Sequence, residues 1–351
     1  MWDMKFRSDL FLRCLLRMSQ LCAVGFAASL SLWQGEAQDV EDQKRAQHQM
    51  IVGSKECIEC HESEVEAWHR TEHYFNKDLH KDEKAIEIAQ KMGITSPAMI
   101  QKSALCTQCH FTVQQVGTAP AQVISGVSCE SCHGGAKDWL DIHNAKDRRE
   151  GEDSSAQIAS ATEKGMLYPH EIDKVAANCF SCHIVTNEDL VNIGGHPAGS
   201  DDFELVSWLK GEVRHNFFDS KGAKNAETPI ERQRVQFVIG KMLEMEYSLR
   251  GLARASKSDY GNAMGRRCVS TRKQIEALVE LLGDNAGALG PMLEKISVPG
   301  LLKFGNTDAL QEAADAVEAA AGEFEEAHDG SQLGSVDPII PDSGKGDVYQ
   351  P

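Results

Sequence analysis

Four times along this chain two cysteines stand three positions apart and a histidine follows the second at once: Cys57, Cys60 and His61; Cys106, Cys109 and His110; Cys129, Cys132 and His133; Cys179, Cys182 and His183. The spacing has a chemical reason. Two thiols one turn of chain apart reach the two vinyl groups of a single porphyrin, and the next residue then lies under the iron, where its imidazole becomes the proximal ligand. From the composition the pattern would arise roughly 0.01 times by chance in a chain of this length. Zinc ribbons also use paired cysteines but place no demand on the residue that follows, and thioredoxin-like redox sites use one such pair rather than four. Four covalently bound haem c groups are expected.

Those motifs take four of the 13 histidines as proximal ligands. The others are His48, His69, His73, His80, His143, His170, His196, His215 and His328. A second axial histidine gives a low-potential electron-transfer haem, whereas an iron without a sixth ligand can bind a small molecule. Function therefore turns on how many of these side chains face an iron. His48, in a polar N-terminal segment, and His328, in an acidic tail, read as solvated. His69 precedes His73 by one helical turn on the same face, and His80 runs into the charged stretch Lys81 to Lys84, so neither reads as a ligand.

The succession Cys57, Cys60, His61, Trp68, His69 and His73 resembles the opening of the tetrahaem cytochrome c554 family. So do Ser125 to Gly134 with His143 ten residues beyond His133, the fourth motif following Asn178, and Phe203 to Val206 leading to His215. The resemblance covers roughly residues 50–220. It implies that the first, third and fourth haems are bis-histidine and stacked in close pairs. By position, His143 would lie opposite His61, His215 opposite His133 and His73 opposite His183, leaving the haem of His110 five-coordinate. Two histidines fall outside that pattern: His170, after Leu167, Tyr168 and Pro169, and His196, between Gly195 and Pro197. Each is either a surface-loop side chain or a cap for the second haem.

The elements that must hold these groups change character along the chain. Lys5, Arg7, Arg13 and Arg17, the apolar run Met18 to Trp33, and Gly35 and Ala37 describe an export signal over 1–37, with the run too short for a stable membrane span. Residues 38–50 read as a mobile lead-in and 51–220 as a loop-rich haem core with helices at Glu62 to Asn76 and Glu83 to Met92. Asn144 to Ser155 has no apolar stripe and reads as an exposed loop. From 221 to 330 a helical region is expected. It opens with a capping box at Thr228 to Glu231, with Pro229 as the first helical residue. Val235, Val238, Ile239, Met242, Met245, Leu249 and Leu252 then mark an apolar stripe that reads as core rather than as axial methionines. Helices at Ser270 to Leu282 and Ala309 to Ala327 follow, and 331–351 reads as a disordered tail. The fold class is mainly α. Cys268 is left over as a buried apolar thiol or an intermolecular bridge.

With 36 Lys and Arg against 53 Asp and Glu the formal charge is −17, which argues against a nucleic-acid partner and an anionic membrane surface. Residues 221–273 hold twelve basic against five acidic side chains, and 308–351 eleven acidic against Lys345. The basic stretch reads as solvated helix faces, with Arg232, Arg234 and Arg250 as alternative partners for haem propionates or an acidic protein. The leading functional expectation is a periplasmic electron carrier. The resemblance implies a hydroxylamine-oxidoreductase-like multihaem donor and a cytochrome or quinone-linked acceptor. The alternatives are reduction of a small nitrogen oxide at an open His110 haem, and a docking scaffold built on the C-terminal helices.

Overall fold

In the computed structural model residues 46–144 and 155–351 are described; the export signal expected over 1–37, most of the 38–50 lead-in and most of the loop expected over 144–155 lie outside them. The chain is mainly helical, as its composition and periodicity suggested. From Ser54 onward the α-helices among the described residues are α1 Ser54–Ile58, α2 Glu62–Trp68, α3 Glu72–Phe75, α4 Glu83–Lys91, α5 Ala104–His110, α6 Cys129–His133, α7 Leu140–His143, α8 Ser155–Glu163, α9 Ile172–His183, α10 Glu188–Asn192, α11 Leu205–Lys210, α12 Ile230–Arg254, α13 Ser258–Leu282, α14 Leu289–Ile296 and α15 Thr307–Ala327. Among the described residues a single hairpin, β1 Thr112–Gln114 against β2 Gln122–Ser125, is antiparallel with an irregularity between Thr112 and Val113. Among the described residues no helix is long and apolar enough to cross a membrane.

The two halves are built on different physics. Up to about residue 170 the helices are short and the apolar clusters small: Ala136, Trp139, Ala161 and Met166 in one, Ala89, Ile100 and Phe111 in another. Helices this short gain little on their own, which fits a region whose apolar mass is supplied by something besides side chains. The C-terminal half needs no such help. Helix α12 packs against α15, α13 and α9, and Val238, Ile239, Met242, Met245 and Leu249 are fully buried along its length. The stripe is core, as its spacing indicated. This core runs across residue 220, because Ile172, Ala176 and Phe180 of α9 and Leu205 and Val206 of α11 belong to it. Helix α9, which ends in the fourth motif, is thereby fixed to the C-terminal bundle.

Several expectations are corrected. The helix expected from Glu62 to Asn76 is broken at Thr71, whose hydroxyl caps α3 by accepting from Tyr74 N. The break separates His69, packed on Trp68 and Tyr74, from His73. The capping box at Thr228 does not form: Pro229 stays extended as the N-cap, and Gln233 Nε2 instead donates to Thr228 O at 2.6 Å. Helix α13 starts twelve residues earlier than expected, at Ser258 rather than Ser270, through Gly261 and Gly265. The described end of the lead-in is helical and tied down, with Gln115 N donating to His48 O at 2.9 Å.

The 331–351 segment is folded rather than disordered. Leu333, Val336 and Ile340 are buried in the main core, and Arg234 grips Asp337 through two hydrogen bonds of 2.7 Å. Arg250 likewise binds Glu246, Asp315 and Glu318, each at 2.7 Å, while Arg232 donates to Pro169 O. The basic stretch and the acidic tail thus neutralise each other inside one chain, and Arg234 and Arg250 are not held out for a partner.

Glu325 of α15 ties the bundle to α9 by accepting from Ile172 N at 2.7 Å and Asp173 N at 2.8 Å. Burial pushes its carboxyl up to about 6, against the two amides that pull it down. A carboxyl raised on folding stabilises the fold while protonated and loses that contribution as pH rises through the folded value. Between about pH 4.5 and 6.5 wild-type stability should fall, relative to Glu325→Gln, by on the order of 1 kcal/mol after allowing for partial exposure. Melting temperatures of the two proteins across that range check it; parallel curves would remove Glu325 as the cause.

Candidate haem-binding site

Each motif places its thiols on one face of a helical turn. Cys57 lies in α1, with Cys60 and His61 in the turn before α2; the second motif closes α5, the third forms the whole of α6, and the fourth closes α9. In the last three the histidine ends its helix, and the next residue leaves the helical region: Phe111 at φ −141°, Gly134 at φ 82° and Ile184 at φ −116°. The imidazole therefore projects beyond the helix end while the thiols stay on its side.

Opposite each of these four imidazoles stands a second one. Ring centres are 6.3 Å apart for His61 and His143, 6.2 Å for His110 and His196, 6.1 Å for His133 and His215, and 6.2 Å for His73 and His183. An imidazole nitrogen sits about 2 Å from a bound metal and about 1.1 Å from its own ring centre, so two imidazoles on opposite sides of one metal have centres about 6.3 Å apart. Three of the pairs are those the resemblance implied. The fourth is not: the resemblance implied an open face at His110, and here His196 stands opposite that ring.

Local structure explains how His196 arrives there. The loop after α10 folds back on the chain leaving the fourth motif, with Ile184 bridged to Gly199, Val185 N donating to Ala198 O at 3.1 Å and His196 N donating to Leu190 O at 3.1 Å. Gly195 makes the turn at φ 77°, a conformation L side chains rarely take. His170 is brought to none of the four motif histidines; its ring packs edge-on against Tyr168 at 4.5 Å on the surface. As a candidate ligand it is corrected to a surface side chain. His80 bonds with Gln101 at 3.2 Å. His328, expected to be solvated, is half-buried and stacks on Phe324 at 4.2 Å. Cys268 is fully buried in the bundle, out of reach of an intermolecular bridge in the folded chain, and burial pushes its thiol up to about 12.

The electrostatics suit metal ligation, which requires neutral imidazole. Burial lowers His73 and lowers His110, His133 and His183 to about 4, with neighbouring imidazoles adding to it in the last three. Second partners orient the rings. The Nδ1 atoms of His133, His143, His196 and His215 donate to the carbonyls of Leu167, Leu140, Pro197 and Val213 at 3.1, 2.6, 2.8 and 2.6 Å. That fixes the tautomer and leaves Nε2 with its lone pair free. His110 Nδ1 similarly reaches Asn76 Oδ1 at 3.3 Å.

The sites adjoin in a definite order. Cys57 and Cys129 lie against each other, and His133 has both His61 and His143 as neighbours, so the first and third sites touch. Cys109 and Cys182 lie against each other, and His110 and His183 share His73 as a neighbour, so the second and fourth touch. Cys132 and Cys179 lie together, and Asn178 Nδ2 donates to Ser131 O at 2.7 Å, which joins the third to the fourth.

Three features escaped sequence reasoning. Glu130, between the cysteines of the third motif, is buried and accepts from Val52 N, Gly53 N and Ala136 N at 2.8, 2.7 and 2.9 Å. Trp139 stands edge-on to His143 at 5.0 Å, and Trp208 lies 5.4 Å from His183. The buried Nε1 of each tryptophan has no acceptor within the protein. Orphaned donors beside the histidine pairs are a fit to haem, whose propionates are acceptors.

Residues 56–134 match the family described as cytochrome c554 and c-prime. The chain is also similar to cytochrome c-554 of Nitrosomonas europaea, 23% identical over 141 residues, which is 38% of this chain and 57% of that protein. The chain thus spans little more than half the length of that relative. No solved structure matches it.

Proposed function

We propose that the chain, whose first three motifs lie in the stretch that matches cytochrome c554 and c-prime, is an exported tetrahaem electron carrier in which every iron has two histidine ligands. The observation that carries this reading is the set of four facing imidazole pairs, all at 6.1–6.3 Å. Cys57 and Cys60, Cys106 and Cys109, Cys129 and Cys132, and Cys179 and Cys182 would tether the four haems by thioether bonds. His61, His110, His133 and His183 would be their proximal ligands. His143, His196, His215 and His73 would be the respective distal ones.

When bound, each haem supplies a one-electron ferric–ferrous couple whose potential two histidines set low relative to histidine and methionine. The protein contributes spacing, burial and orientation. The sites follow one another as first, third, fourth and second, so the first and the second are the two ends of the row and the natural places for donor and acceptor. A multihaem oxidoreductase as donor and a small or quinone-linked cytochrome as acceptor, in the periplasm, fit the low potential and the export signal over 1–37. Reduction of a nitrogen oxide at the second site requires an open iron face, which His196 covers.

The test is a mass and a paramagnetic resonance spectrum of protein matured with haem-attachment machinery. The mass should exceed that of the bare mature chain by four haems. All four ferric irons should be low-spin, and the reduced protein should bind no carbon monoxide. A high-spin iron in the wild-type protein would return the nitrogen-oxide reading to first place.

A further inference from the structure

Residues 341–351 have no part in the function proposed above, yet they are tied closely to the rest of the C-terminal half. Leaving the core after Ile340, the chain runs along the segment from α11 to Asn225. Lys210 Nζ donates to Pro341 O at 2.9 Å, Lys345 N donates to Ser207 O at 2.8 Å, and Glu212 N donates to Lys345 O at 2.8 Å. The approach is so close that a Cβ on Gly211 would stand 1.9 Å from Lys345 O. The Lys345 ammonium also pairs with Asp202.

The end of the chain then closes on Asn225, which is 1% exposed. Its side chain holds the residues on either side of His215: Oδ1 accepts from Asn216 N at 2.8 Å, and Nδ2 donates to Arg214 O at 2.7 Å. The same Nδ2 donates to Tyr349 O at 3.0 Å. Gln350 satisfies both backbone groups of Asn225, accepting from its N–H and donating to its carbonyl, each at 3.0 Å. The Tyr349 ring lies 6.1 Å from Phe217 and under the Arg70 guanidinium at 4.5 Å. His215 itself is exposed, and its ring is oriented by the Val213 carbonyl within its own loop.

We propose that residues 341–351 are a strap that seats His215 opposite His133, with Asn225 as the residue through which the strap acts. The inference rests on the reading of His215 as a sixth ligand. A ligand on a loop stays bound in proportion to how far the loop is preorganised. Here the hydrogen bonds on both sides of His215 converge on one buried residue whose remaining hydrogen bonds go to Tyr349 and Gln350. Asn225, Tyr349 and Gln350 are positioning residues.

The experiment compares matured wild type with His215→Ala, Asn225→Ala, a chain ending at Val348, and the last two each combined with His215→Ala. Wild type should show four low-spin irons. His215→Ala should convert one iron in four to high spin and let the reduced protein bind one carbon monoxide. Asn225→Ala and the shortened chain should each open the same iron in a substantial fraction of molecules, and adding His215→Ala to either should bring the total to one iron in four and no further. If His215→Ala leaves every iron low-spin, the ligand reading fails. If His215→Ala opens an iron and the shortened chain stays wholly low-spin with four haems, the strap is wrong. Should Asn225→Ala fail to mature, the shortened chain alone decides, since it removes only three terminal residues.

Discussion

Replacing His196 by Ala should leave four haems attached and turn one ferric iron in four from low to high spin, giving the reduced protein one carbon monoxide site where the wild type has none. The expectation rests on the His110–His196 pair, 6.2 Å between ring centres, with the His196 Nδ1 proton committed to Pro197 O. Because His110 stays in place at the end of α5 and its thiols are unaffected, attachment should survive. The substitution removes only the residue that covers the second face. His196→Met separates ligation from mere space filling: it should keep the iron six-coordinate and low-spin while raising its potential, since methionine in place of histidine does so. A wild-type protein that already binds one carbon monoxide, or an Ala variant that remains wholly low-spin, would show that His196 is not the ligand.

This one residue decides between the two functional readings. An iron with an open face is a site for a diatomic ligand; one held between two imidazoles exchanges electrons and little else. His196 would place the second site, at one end of the row, in the second class along with the other three. Its loop is held by main-chain hydrogen bonds to Leu190 and to the segment after His183, so the second site's cap is anchored to the chain of the fourth. The two neighbouring sites share scaffold as well as contact.

How much of this could be read from the sequence depended on how local the cause was. The attachment sites were legible because covalent chemistry fixes their spacing within five residues. The long stripe of α12 was legible because helical periodicity repeats over many turns. The start of α13 was hidden by Gly261 and Gly265, which lower helix propensity but face close neighbours: a Cβ on Gly261 would stand 2.7 Å from Phe304. His196 was undecidable between loop and ligand, because its position depends on a fold-back onto residues it does not adjoin in the chain. His170, its equal on sequence grounds, went to the surface for the same reason. The tail was misread from its polarity, although Leu333, Val336 and Ile340 stand at helical spacing and are what anchors it. Glu130 carried almost no signal, since a glutamate between two motif cysteines looks like any solvated side chain.

Glu130 is nevertheless where the second large effect is expected. Its carboxylate is 4% exposed and accepts three backbone N–H groups from two separate stretches of chain. Val52 and Gly53 lead directly into α1 and the first motif, Ala136 follows the third, and Glu130 itself sits inside the third. Truncation to Ala would leave two buried donors and one half-buried donor unpaired, each hydrogen bond to a charged group being worth about 1.5–3 kcal/mol. Allowing for relaxation and for water entering the gap, Glu130→Ala should destabilise the folded haem protein by on the order of 4 kcal/mol. Glu130→Gln keeps the shape but trades a charged acceptor of three bonds for a neutral one with an amide nitrogen facing a donor, so roughly half that loss is expected. Denaturant midpoints followed by far-ultraviolet circular dichroism and by the haem absorption band would measure both. Because the lost bonds join the first site to the third, the contact between those two should loosen before the bundle does. The absorption band should therefore move at lower denaturant than the helical signal in Glu130→Ala, and together with it in wild type. Coincident transitions in the variant, or a loss below 1 kcal/mol, would mean that Glu130 is not what holds the first site against the third.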